Sequence, residues 1–104
     1  MAVFFALMIG HFLCDYPLQG DFLARAKAPG GVVAVPWYQA MTAHCAIHAG
    51  SVWLITHSWQ LAVLEFIAHF LIDRMKTDGM TTLNQDQALH AICKAAWSFM
   101  LVTL

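Results

Sequence analysis

Between Lys27 and Glu65 the chain carries no charged side chain. A single helix crosses the hydrocarbon of a bilayer with about 20 apolar residues, and this stretch holds the whole of one such segment and the start of another. It is also too long to hide in a chain of 104 residues, because a small domain keeps a large share of its surface exposed. Hydrophobic residues make up 61% of the sequence and charged residues 11%, where soluble domains have about 25% charged. These features predict one integral membrane domain, residues 1–104. A soluble helical protein with a large oligomer interface is the alternative.

Four apolar segments are marked, at 1–22, 37–57, 59–76 and 86–104. The breaker-rich "APGGVVAVP", the turn "HSWQ" and the polar "TDGMTTLNQ" separate them. Strands would have to close into a barrel, and no apolar/polar alternation is present. The expected fold is therefore all-α, a four-helix transmembrane bundle running up-down-up-down. Arg25 and Lys27 lie in the first loop, and Arg74 and Lys76 in the third, whereas the second loop has no Lys or Arg. The positive-inside rule then puts the first and third loops in the cytoplasm and both termini outside it. The expected location is the cell inner membrane, multi-pass. Trp37 and Tyr38 would mark the inner interface, and Trp53 and Trp59 the outer one; Trp97 is read as packing. The N-terminus is apolar without a basic leader or a small-residue cleavage site, so a retained segment is expected. Cys14, Cys45 and Cys93 read as buried free thiols. A net charge of −1 with no basic run gives no sign of nucleic acid, which is not an expected partner; the lipid bilayer and a second copy of the chain are the expected ones.

The chemistry lies in four pairs spaced i,i+4: His11 and Asp15, His44 and His48, His69 and Asp73, Asp86 and His90. This spacing stacks two side chains on one helix face, where they can share a metal ion or orient each other. Random placement of the His, Asp and Glu residues would give about one such pair. Glu65, four before His69, makes a fifth. In segments one and three the pairs lie in the second half, and in segments two and four in the first half. An antiparallel bundle brings all four to one level, near the cytoplasmic face, and bundle cores with ligands from every helix are a known way to hold metal. Each Asp inside a membrane costs roughly 2.5–3.5 kcal/mol on insertion scales, so something must offset it. Gln19, Lys76 and Lys94 extend the same faces and could hydrogen-bond ligands or meet an anion.

Simpler roles stand beside these. Asn84 can cap the fourth helix with Asp86 in its first turn. Asp15 can cap a helix restarting near Pro17, or Pro17 can kink the first helix. Arg25, Lys27 and Arg74 read as orientation signals, and His57 as interfacial. Collectively, a metal-free network of His, Asp and Lys could satisfy every polar group. Nitrogen and oxygen ligands without converging thiolates suit zinc, iron or manganese.

The blocks "GHFLCDYPLQGDFLARAK", "HCAIHAG", "HFLIDRMK" and "DQALH" resemble the small bacterial and phage membrane proteins grouped as domain of unknown function family 3307. The matching positions are His11, Asp15, Gln19, Lys27, His44, His48, His69, Asp73, Lys76, Asp86, Gln87 and His90. The resemblance implies a membrane protein and adds Lys27 and Gln87 to the site; it implies no activity.

Metal ligands are thus expected among His11, Asp15, His44, His48, His69, Asp73, Asp86 and His90, with Asp15, Asp73 and Asp86 as candidates for a catalytic base. Gln19, Lys27, Glu65, Lys76, Gln87 and Lys94 are expected to support ligands or substrate. One reading is a metal-dependent hydrolase acting on an amphipathic substrate, although no glycine-flanked serine of a hydrolase elbow occurs. The others are ion or proton handling by buried His/Asp chains, and an accessory membrane protein whose metal-free polar core fixes helix register.

Overall fold

A computed structural model describes residues 1–31 and 34–103. Val32 and Val33, inside the breaker-rich linker, and Leu104, the expected end of the fourth segment, lie outside the described residues. The described residues form five α-helices and no strand: α1 (Ala2–Asp15), α2 (Gly20–Ala26), α3 (Trp37–Thr56), α4 (Trp59–Thr77) and α5 (Leu83–Leu101).

The expected first helix is two helices. Pro17 has no N–H to continue the ladder, and α1 ends at Asp15 with Tyr16 as its cap. The chain leaves α1 there and turns through Gly20, whose φ is +66°; α2 then departs at 84° to α1. Neither Asp15 nor Gln19 caps α2 with its side chain. At α3 and α4 the expected bounds hold closely. His57 ends α3 in the left-handed region at φ 57°, and Ser58 Oγ accepts from Leu61 N at 3.2 Å to cap α4. α5 starts earlier than its apolar pattern suggests. Thr82, not Asn84, is its cap, in a capping box with Gln85 (3.1 and 2.9 Å), which places Asp86 inside the helix and leaves its side chain free to turn inward.

Helices α1, α3, α4 and α5 close a ring in which α3 packs on α1 and α4, and α5 on the same two, while α2 packs across α3. The interior has two layers. At one end lie Leu7, Val52, Leu61 and Trp97, flanked by Val3, Ile55 and Met100. At the other end the four paired motifs meet, which fixes the alternating helix directions expected from their depth. α1 and α3 approach closely at Gly10, where an added Cβ would overlap Ser51 Oγ and meet Ile55 Cδ1 at 3.1 Å.

Many ionisable side chains lie inside, and many large apolar ones lie outside. His11, His44, His48, His69, His90, Lys27, Glu65, Asp73, Asp86 and Lys94 are buried, while Leu54 (80% exposed), Phe99 (75%), Ile92 (63%) and Trp59 (58%) face outward. Among the described residues no single helix is long and apolar enough to cross a membrane; α1 and α2 together have the length and composition but are bent. The inward-facing histidines and charges of α3, α4 and α5 lower the mean hydropathy of the helices that carry them.

Gly10→Leu should therefore wedge α1 from α3. The expected loss is about 1–3 kcal/mol, read as a lower midpoint in thermal unfolding of the purified protein.

Candidate metal centre

Each of the four long helices contributes its pair to one buried network. Asp15 Oδ1 lies 2.9 Å from His48 Nε2 and 3.3 Å from His44 Nε2. His44 Nε2 lies 3.2 Å from His69 Nε2 and 3.2 Å from Asp73 Oδ2. Asp73 Oδ1 meets His90 Nε2 at 3.0 Å. Three groups of ligand atoms lie within 4.8 Å of one another: Asp15, His44, His48 and His69; His11, His69 and His90; Asp73, Asp86 and His90. The rings stack across the core, His48 on His69 at 3.7 Å and His69 on His90 at 4.1 Å between centroids.

His69 is the best oriented of the rings. Its Nδ1 lies 3.1 Å from Glu65 Oε2. Glu65 also accepts from Lys94 Nζ and from Trp97 Nε1 at 3.1 Å. Both are pure donors, so Glu65 is the acceptor for His69 as well, and the hydrogen-bond network assigns the His69 proton to Nδ1. The Nε2 lone pair then points inward, the arrangement that a carboxylate gives a metal-binding histidine. Trp97 thus has a polar role besides the packing expected of it. A tryptophan N–H aimed at a buried carboxylate has no sequence signal beyond its helix face.

Gln87 sorts the carboxylate oxygens. Its Nε2 donates to Asp15 Oδ2 (3.0 Å) and Asp86 Oδ2 (3.2 Å), and its Oε1 accepts from His11 Nε2 (3.0 Å). The two Oδ1 atoms are left to face the histidines. His11 accordingly steadies Gln87 and Asp15 (Nε2 to Oδ2 3.2 Å) and offers no inward lone pair in this arrangement. Lys27, an orientation signal by its loop position, is buried instead: its Nζ lies 2.7 Å from Asp73 Oδ2. α2 delivers it by folding back across α3, as the family pattern implied. Lys94 is committed to Glu65. Lys76 Nζ stands 3.9 Å from Asp86 Oδ2 with its side chain 31% exposed. Gln19 reaches only the Asp15 backbone carbonyl, at 3.0 Å. Arg74 pairs with Asp78 at 2.9 Å and lies over the Trp37 ring. His57 is exposed at the opposite turn, outside the network.

The family model described as a protein of unknown function (DUF3307) matches residues 3–104. This chain belongs to the DUF3307 family. No curated protein and no solved structure matches it.

The centre of this DUF3307 protein fits a divalent cation on two counts. His44 Nε2 has one proton at most, yet three acceptors surround it, Asp15 Oδ1, Asp73 Oδ2 and the His69 lone pair. Four nitrogen and oxygen ligands at zinc distances stand about 3.3 Å apart in a tetrahedron, close to the separations seen around His44. Charge is the second count. The carboxylates of Asp15, Glu65, Asp73 and Asp86 meet only two wholly buried ammonium groups, Lys27 and Lys94, and a divalent ion would offset the remaining two negative charges. The buried Nδ1 atoms of His11, His44 and His90 have no hydrogen-bond partner, so only His69 has its outer carboxylate. Cys14, Cys45 and Cys93 are free thiols and belong to none of the three groups.

Glu65→Gln should cost about 3–5 kcal/mol, because it strands the Lys94 ammonium in the core. The double variant Glu65→Gln/Lys94→Met should recover most of that loss. Denaturation of the three purified proteins under the same conditions checks both statements.

Proposed function

We propose that this DUF3307 protein is a multi-pass inner-membrane bundle that holds zinc, iron or manganese through Asp15, His44, His48 and His69. The carrying observation is the cluster of acceptors around His44 Nε2, enclosed by helices whose outer faces are apolar. In lipid, ionisable residues turn toward the bundle interior, and the outward Phe, Leu, Ile and Trp side chains supply the face that lipid solvates. Trp53 and Trp59 at the α3–α4 turn, with Trp37 and Tyr38 at the other end of α3, suit the two interfaces. Arg25, Arg74 and Lys76 favour a cytoplasmic position for the end bearing the site, with both termini outside.

The reaction this site suits best is hydrolysis of an amphipathic substrate. A bound divalent ion supplies acidified water and polarises an ester or phosphoryl oxygen. Asp15 is the least buried carboxylate of the cluster, its side chain 10% exposed. Next to it in α1, Leu13 and Cys14 line an apolar groove of about 580 Å³ with Ile47, Gly50 and Leu54 of α3. An acyl chain lying there brings a head group to Asp15. Ion or proton handling is the second reading, favoured by the stacked His48, His69 and His90 rings.

Purified protein offered zinc, iron and manganese, then dialysed, should retain stoichiometric metal, and His44→Ala should weaken retention at least tenfold. If wild-type protein takes up none of the three metals, the metal reading is wrong. The membrane assignment has its own check: the chain should stay in the pellet through alkaline carbonate extraction, and release into the supernatant would refute it.

A further inference from the structure

Asp73 faces two ways. Its Oδ2 faces His44 Nε2 and His69 Nε2, at 3.2 and 3.5 Å. Its Oδ1 points to the other side, 3.0 Å from His90 Nε2. On that side stands Asp86, whose Oδ1 lies 3.5 Å from the same nitrogen. Asp86 is only 1% exposed, and its Oδ1 is a buried oxygen with no hydrogen-bond partner. A bare carboxylate oxygen in a dry core is costly, and Gln87, by holding Oδ2, keeps Oδ1 aimed inward. A carboxylate so placed needs a positive charge in front of it.

We propose that Asp73, Asp86 and His90 form a second cation position, and that Asp73 bridges it to the first. The inference rests on the metal reading of the first position. Asp73 presents one oxygen to each side, as a bridging carboxylate must, and Oδ2 has two lone pairs, so Lys27 Nζ can keep one of them. His69 borders the first position and His90 the second, and their rings stack at 4.1 Å. Paired catalytic metals stand about 3.5–4 Å apart, so neighbouring rings at that spacing can serve neighbouring ions. A second divalent ion overshoots the charge balance of the centre by two. The pair therefore calls for an anionic ligand, hydroxide or a phosphoryl group, which narrows the amphipathic substrate to one with an anionic head.

Manganese stoichiometry of the detergent-solubilised full chain tests this, with electron paramagnetic resonance as the second readout. Wild-type protein should bind two equivalents and give the spectrum of an exchange-coupled pair. Asp86→Asn and, independently, His90→Gln should each bind one equivalent and give an uncoupled signal, and His48→Ala should likewise lose one of the two. One equivalent in the wild type, unchanged in Asp86→Asn and His90→Gln, overturns the second position and leaves the first standing. No bound manganese, zinc or iron in any of the proteins overturns both.

Discussion

The Asp73 carboxylate is sealed from water near the C-terminal end of α4, where the helix dipole also opposes it. Lys27, His44 and His90 stand within 2.7–3.2 Å of its two oxygens. Satisfying that one group takes residues from α3, α5 and the end of α2, so helix order, the backward fold of α2 and the level of each histidine are tied to it. The break at Pro17 has a use here: it turns the chain back so that Lys27 can enter the core and reach Asp73. A continuous helix through residue 22 would carry Lys27 away from the core.

The same inward-facing groups hold down the mean hydropathy of the helices. α3 has no charged residue, yet two histidines and several small polar residues hold its mean hydropathy down. All of its strongly polar chemistry faces His69 and Asp15, and Trp53 and Leu54 face outward. Averaging around the helix mixes a polar inner face with an apolar outer one, and read by face the two separate.

Much of the site was legible because i,i+4 spacing maps directly onto a helix face. His11 and Asp15, His44 and His48, His69 and Asp73, and Asp86 and His90 each needed only helical geometry and antiparallel order to be brought together. Glu65 was legible for the same reason. Less legible were residues whose contacts depend on breaks and caps. Lys27 looked like a loop charge because nothing local announces that α2 folds back. The start of α5 was read three residues late, since Thr82 and Gln85 form a polar cap ahead of the apolar pattern. Which histidine nitrogen faces inward depends on Glu65, Lys94, Trp97 and Gln87, contacts made across helices that spacing within one helix cannot reveal.

The coordination shell itself tests the central claim most directly. X-ray absorption at the zinc edge of the zinc-loaded protein should give a shell of nitrogen and oxygen only, at about 2.0–2.1 Å, with the outer scattering of several imidazole rings. A sulfur shell at about 2.3 Å would put the ion on the cysteines, and a shell without imidazole scattering would put it away from the histidines. Either result would contradict a metal centre built on His44, His48 and His69.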